Sequence, residues 1–312
     1  MVNNNKNILR ESSIEYLTIE LLKSLGWNYV FGPDIAPATE NNNSNIANRK
    51  SFEDVLLFDI LETSLKLINP HIPDEAIQDA IKTISSVPNQ YPDLMANNEA
   101  FHRMLTEGIR VTYKKDGEEK GDIVKLIDFN NPENNDFHVI NQFTVIENNI
   151  NKRPDIVLFV NGIPLVVFEL KNPADEHVTI QSAYNQIQTY KQTIPTLFCY
   201  NEILVISDGL EARIGSLSSG YDRFTAWKSA DGTKKASHLT NQLEVLINGL
   251  FNKITLLDFL KFFIVFDKSK TEDESGQTII KLNKKIAAYH QYYAVNKAVE
   301  STIRAVRKNK DK

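Results

Sequence analysis

Between Arg153 and Asn172 the chain reads RPDIVLFVNGIPLVVFELKN, two apolar, β-rich runs around Asn161-Gly162. Asp155 opens the first run; Glu169 and Lys171 close the second, one residue apart. Side chains alternate across a strand, so Glu169 and Lys171 share a face. Two carboxylates converging on one point supply the hard oxygen ligands that Mg²⁺ takes. A metal held this way polarises a phosphate, stabilises developing charge and lowers the pKa of a bound water. A lysine two residues from a ligand orients that water or meets the charge on the reacting phosphate. Charged groups at the end of a Leu-Val-Val-Phe run are costly to bury for packing alone. Their placement predicts a sheet edge that meets a cleft.

The turn between the runs decides whether the two acids meet. A two-residue Asn161-Gly162 turn pairs Val160 with Ile163, and simple counting then sets Asp155 against Phe168, away from Glu169. A three-residue Val160-Asn161-Gly162 turn, with Gly left-handed and a G1 bulge, pairs Phe159 with Ile163. Asp155 then opposes Val167 and shares a face with Glu169. The sequence is compatible with either turn, and the metal-centre reading requires the second.

Neither half of the pattern is specific alone. Pro-Asp recurs at Pro33-Asp34, Pro73-Asp74 and Pro92-Asp93, and Glu-x-Lys recurs at Glu118–Lys120 in a turn. Only Asp155 to Lys171 combines both on adjoining apolar runs. The plain alternative is an exposed ion pair near a hairpin end. Two further features bear on the choice. Gln186 and Tyr190 are four apart on a following helix, hence on one face, where they can meet a phosphate or brace the lysine. Glu15 borders the apolar stripe of the first helix and can reach a site between helix and sheet, whereas Glu20 points away.

The elements that must position these groups are legible in outline. Helices are expected over about 13–25, 51–68, 74–86 and 97–108, the first ended by Gly26. The segment ATENNNSNIANRKS between the first two is too polar to pack. From Ile109 the texture changes to short apolar runs: Arg110–Tyr113, Asp122–Phe129, Phe137–Glu147, Asp155–Val160 and Ile163–Leu170, mostly antiparallel strands. A helix over about 177–192 follows, then a hairpin, Glu202–Ser207 and Glu211–Gly215, around Asp208-Gly209. Residues 239–263 read as helical. The polar stretch KSKTEDESGQ, 268–277, is the expected linker, and 282–306 a final amphipathic helix with Ile286, Tyr289, Tyr293, Ala294 and Val299 on its apolar face.

The 312 residues include 42% hydrophobic and 24% charged residues, ordinary for a globular protein and enough for one large domain or two smaller ones. No apolar run approaches the ~20 residues that span a bilayer, so no membrane association is expected. The N-terminus lacks a signal-peptide core, and the lone Cys199 cannot form an internal disulfide, which fits the cytoplasm. The net charge of −5 argues against a general nucleic-acid coat protein. It hides an asymmetry: residues 228–312 hold 16 Lys/Arg against 9 Asp/Glu. An acidic protein can still present a local basic track to phosphate, although a Lys-rich tail is also simply soluble.

The runs LTEGIRVTY, LIDFNNPENNDFHVINQFTV, RPDIVLFVNGIPLVVFELKNP and AYHQYYAVNKAVEST, with SLGWNYVFGPDIAP near the start, resemble in that order the motor (R) subunits of type I restriction enzymes. The resemblance covers nearly the whole chain. It implies an α/β fold, a mixed central sheet flanked by helices of the PD-(D/E)xK restriction-endonuclease type. The family's acidic and lysine positions fall on Asp155, Glu169 and Lys171, and its Gln-x-x-x-Tyr motif on Gln186 and Tyr190. Its first-helix acid matches Glu15, with Glu20 the fallback, so Asp155, Glu169 and Glu15 are the expected metal ligands. The implied activity is Mg²⁺-dependent cleavage of double-stranded DNA, with Mn²⁺ a possible substitute. The implied partners are the methylation and specificity subunits.

Such subunits also carry an ATP-driven translocase, but no Gly-x-x-x-x-Gly-Lys-Ser/Thr loop occurs here. ATP is therefore expected only in the full-length protein, and the chain reads as an amino-terminal fragment. The expected organisation is an endonuclease domain over 1–267, a linker over 268–277 and, over 278–312, the helical start of an absent motor. The alternative is a DNA-binding or assembly module that keeps the fold without catalysis. A two-carboxylate glycosidase is a distant third. The lysine and the lack of an aromatic sugar platform near the motif count against it.

Overall fold

The computed structural model describes residues 11–37, 49–172, 179–237, 240–272 and 278–310. The chain begins with helix α1 (Glu11–Ser24) and strand β1 (Asn28–Phe31), followed by α2 (Phe58–Ile68), α3 (Asp74–Ser85) and α4 (Leu94–Glu107). Strands β2 (Ile109–Lys115), β3 (Glu118–Val124), β4 (Phe137–Asn141), β5 (Val145–Glu147), β6 (Ile150–Lys152), β7 (Ile156–Val160) and β8 (Ile163–Leu170) come next. Helices α5 (Ile180–Thr193) and α6 (Pro195–Cys199) lead into β9 (Ile203–Ser207) and β10 (Ala212–Gly215). The last elements are α7 (Gln242–Leu250), α8 (Lys253–Phe262), β11 (Ile264–Glu272), β12 (Thr278–Ile286) and α9 (Tyr289–Lys310).

Six strands form the central sheet, in the order β1-β4-β7-β8-β9-β10. The β1/β4 and β8/β9 pairs are parallel and the others antiparallel, so the sheet is mixed, as expected. Every residue of β7 and β8 is buried. This explains their unbroken apolar runs, since a strand covered on both faces shows no polar alternation. The parallel β8/β9 step needs a long crossover, which α5 and α6 supply. Helix α5 lies along β8 and β9. On the opposite face Phe168 meets Phe251, just past α7, with ring centroids 5.2 Å apart.

Several expected elements shift. Residues 51–57 are not helical, and helix begins at Phe58. The single run Phe137–Glu147 is two strands, because Gln142 takes a left-handed backbone (φ 54°) and ends β4. The β2/β3 and β5/β6 pairs stand outside the main sheet. The helical stretch 239–263 breaks at Phe251, where the Asn252 side chain caps α8. Most of the polar loop at 38–51, the first residues of the 177–192 helix and residues 273–277 of the expected linker lie outside the described residues. No helix among the described residues is long and apolar enough to cross a membrane.

The largest correction concerns the C-terminal part. Residues 268–272 are strand rather than linker, and 278–286 are strand rather than helix; they pair as one antiparallel hairpin, Ile264↔Ile286 to Glu272↔Thr278. The hairpin is fastened by Lys284, whose fully buried ammonium donates to Glu202 Oε2 (2.6 Å), the Asn201 carbonyl (2.8 Å) and Asn98 Oδ1 (2.9 Å). Burial alone would raise the Glu202 pKa, but Lys284 and His102 beside it hold it below the usual range. The start of α9 packs as well: Tyr292 is buried and lies 4.7 Å from the Phe263 ring. The run KLNKKI looks solvent-facing because a buried lysine is legible only once its acid partner is located.

Candidate metal-dependent catalytic site

The site forms where β4, β7 and β8 end together. Its geometry depends on the β7/β8 turn, and neither simple count describes it. Asn161 and Gly162 both have positive φ (53° and 76°), so the connection is the two-residue Asn-Gly type, and Val160 pairs with Ile163. The register then changes: Phe159 pairs with Pro164 but Leu158 with Val166, leaving Leu165 as a bulge. Pro164 accounts for this, because it has no N–H to give the ladder and inside a sheet is tolerated at bulges. The bulged Leu165 carbonyl turns to β9 and accepts from the Glu202 N–H at 2.7 Å. Beyond the bulge Ile156 pairs with Phe168, so Asp155 comes opposite Glu169 on the same face. The expected three-residue turn is corrected; the shared face it was invoked to explain is present.

Each side chain is fixed by a specific contact. Asp155 Oδ2 accepts the Leu170 N–H at 2.7 Å. Glu169 is buried, and Lys171 Nζ reaches its Oε1 at 2.5 Å. The Lys171 N–H donates to the Ser207 carbonyl (2.8 Å), which ties the end of β8 to β9. On α5, Ile187 is buried while Gln186 is partly exposed and Tyr190 buried. The Tyr190 hydroxyl donates to the Arg153 carbonyl at 3.4 Å and lies beside Gln186 and Glu169. Burial, then the charges of Glu169 and Asp155, push its pKa well above the usual phenol range. Tyr190 is therefore a neutral donor and no base.

Glu15 sits next to this group rather than inside it. Its Oε1 accepts from the Asn141 amide at 2.5 Å and its Oε2 from the Gln142 amide at 3.0 Å. The Gln142 N–H in turn donates to the Asp155 carbonyl at 3.0 Å, so one residue links the two acids. Glu20, the fallback, is half-exposed and pairs with Lys23 at 2.7 Å instead. Asn141 and Gln142 were missed by reasoning from sequence. Two adjacent carboxamides closing the apolar run FHVINQ were the available signal.

Among the described residues no three His, Cys, Asp or Glu side chains are grouped to hold a metal. The trio Asp155, Glu169 and Glu15 is thus not brought together as one ligand set. Asp155 and Glu169 alone still fit a magnesium ion, which is usually held by one or two carboxylates with waters and phosphate oxygens completing the shell.

Residues 8–223 match the family model described as type I restriction enzyme R protein N terminus. The chain is 42% identical over 308 residues to the type I restriction enzyme HindI endonuclease subunit of Haemophilus influenzae, covering 98% of this chain and 28% of that protein. It is 36% identical over 312 residues to the putative type I restriction enzyme MjaIXP endonuclease subunit of Methanocaldococcus jannaschii, covering 94% and 28%. A 152-residue stretch is 33% identical to the EcoprrI endonuclease subunit of Escherichia coli, covering 47% of each chain. The chain spans about a quarter of the length of the first two relatives. The match over residues 8–223 and the 42% identity establish that the chain belongs to the family of type I restriction enzyme R protein N-terminal domains.

Proposed function

We propose that this domain is a Mg²⁺-dependent endonuclease that hydrolyses backbone phosphodiesters of double-stranded DNA, the cutting part of a type I restriction enzyme. One observation carries the reading: Asp155 and Glu169 oppose each other across β7/β8 with Lys171 on Glu169. The plain alternative, an exposed ion pair at a hairpin end, does not describe a carboxylate that is 2% exposed. A buried carboxylate–lysine pair is often no more stabilising than apolar residues of the same volume, so a purely assembling module gains little from placing Glu169 and Lys171 here.

Asp155 and Glu169 would hold the metal; Mn²⁺ would fit the same oxygens. When bound, the ion supplies Lewis acidity toward the phosphate and a more acidic water. Lys171, now on Glu169, orients the attacking water and meets charge on the phosphate oxygens. Tyr190, anchored on the Arg153 carbonyl with Gln186 beside it, backs Glu169 as a neutral phenol. Glu15, gripped by Asn141 and Gln142, adds negative potential behind Asp155. In this reading the methylation and specificity subunits choose the target, ATP acts elsewhere in the longer polypeptide, and the setting is cytoplasmic.

The test compares the intact restriction complex with its Asp155→Asn, Glu169→Gln and Lys171→Met forms. DNA cleavage is expected to vanish while ATP hydrolysis continues. Calorimetric Mn²⁺ binding should be lost with Asp155→Ala. Retained cleavage, or ATP hydrolysis lost together with it, would count against the assignment.

A further inference from the structure

The sheet carries the acid rung further than the site itself. Glu169 pairs with Ile206, and Ile206 with Arg213, so Arg213 lies two strands from Glu169 on the same face. At about 4.8 Å per strand the two main chains are roughly 10 Å apart. The Arg213 guanidinium pairs with Glu211 at 2.7 Å and lies over the Tyr221 ring, 5.6 Å from its centroid. It also opens onto a groove of about 470 Å³ between the β10 edge and the first turn of α9, with Lys228 beside it. Tyr289 and His290 line this groove and a second lobe of about 350 Å³, which contains Lys234 and Lys235. Among the described residues lining the two lobes Glu211 is the one carboxylate, and Arg213 engages it; Asp231, beside the second lobe, accepts from the Thr233 N–H and hydroxyl.

The basic loop is built rather than loose. Gly232 has φ 70°, and a Cβ there would lie 2.3 Å from the Tyr293 ring, so only glycine lets the loop press against α9. The Tyr293 hydroxyl donates to the Ala230 carbonyl at 3.0 Å, and the Lys297 ammonium to the Gly232 carbonyl. Ser229 Oγ donates to the Lys234 carbonyl at 2.6 Å and accepts the Gly232 N–H at 2.9 Å. Lys228, Lys234 and Lys235 are exposed, and none has an ion-pair partner among the described residues. A fixed row of unpaired cations with aromatic rings between them fits a polyanion backbone.

We propose that this two-lobed groove binds the sugar–phosphate backbone of double-stranded DNA a few nucleotides from the phosphate at Asp155 and Glu169, with Arg213 nearest the acids. The proposal rests on the nuclease reading for its substrate class, and its test is chosen to be separable. Binding of a short fluorescent duplex is followed by anisotropy in metal-free buffer, where cleavage plays no part. Lys234→Gln/Lys235→Gln is expected to weaken binding about tenfold at low salt and to make the log–log salt dependence shallower by about 2, one counterion per lost contact. Lys268→Gln/Lys285→Gln removes the same charge from exposed lysines of the β11/β12 hairpin and should leave both readouts near wild type. All four lysines are exposed, and matching thermal melts confirm that the variants are folded. A groove variant that binds like the control, or a wild-type chain that binds no duplex, overturns the groove. Groove-dependent binding with cleavage indifferent to Asp155→Asn would instead overturn the nuclease reading and leave the groove standing.

Discussion

The Leu170 N–H donates to Asp155 Oδ2 at 2.7 Å, so the residue between Glu169 and Lys171 fixes the carboxylate on the neighbouring strand. The two acids are therefore one construction. Asp155→Asn keeps a side-chain oxygen for that N–H but removes the charge. Its melting temperature is expected to stay near wild type while cleavage falls by roughly a hundredfold or more, the scale of losing a preorganised electrostatic group. A large fall in melting temperature would show instead that Asp155 is chiefly structural.

Gly32, just past β1, tests the support of the site from behind. A Cβ there would lie 2.4 Å from the Asn141 carbonyl and 2.7 Å from that of Gln142, the two residues that hold Glu15. Gly32→Ala must displace that backbone, at a cost of about 1–3 kcal/mol for overpacking. Cleavage should fall by more than the loss of folded protein explains. A variant with lowered stability but unchanged activity per folded molecule would mean that Glu15 and its amides do not matter to the reaction.

How much of this was legible beforehand varied with the physics involved. The apolar runs of β7 and β8 announced themselves because both strands are buried on both faces. The pairing of Asp155 with Glu169 was not, because it depends on Pro164, whose missing N–H matters only once β8 is known to be a central strand. Strand β1 escaped notice: Tyr29 and Phe31 are exposed, so Asn28–Phe31 shows no clear inward pattern. Helix α5 was expected over about 177–192, yet the link from Glu15 through Gln142 to Asp155 joins residues more than 120 positions apart, beyond any local signal.

Lys284 extends the same lesson to the end of the chain and motivates a different domain boundary: we propose that the folded body includes the β11/β12 hairpin. Lys284→Met leaves Glu202 buried beside the His102 ring, 3.1 Å away, without its ammonium partner. Removing one partner of a buried pair costs about 3–5 kcal/mol. Replacing both, as Lys284→Met/Glu202→Leu, should cost less than the two single changes added together. Denaturant melts of the four forms supply the cycle. If Lys284→Met unfolds like wild type, residues 278–312 are an appendage, and the boundary at 267 stands.

Lys191 gives a pH signature of its own. It follows Tyr190 on α5, its ammonium donates to the Leu217 carbonyl at 3.0 Å, and no carboxylate pairs with it among the described residues. Burial lowers its pKa from 10.5 to about 8. Below pH 8 the lysine is charged in both the folded and unfolded chain, and the cost of burying that charge is fully present. Between about 8 and 10.5 the unfolded chain holds the proton that the folded one has released, so this group makes stability rise with pH. Lys191→Met removes the titration and keeps most of the volume. The variant should be more stable than wild type at pH 7, and the difference should shrink steadily toward pH 10.5. Taking the difference between the two proteins cancels every other titrating group. A difference that is constant with pH would show that Lys191 keeps its ordinary pKa and that water reaches its ammonium in the folded chain.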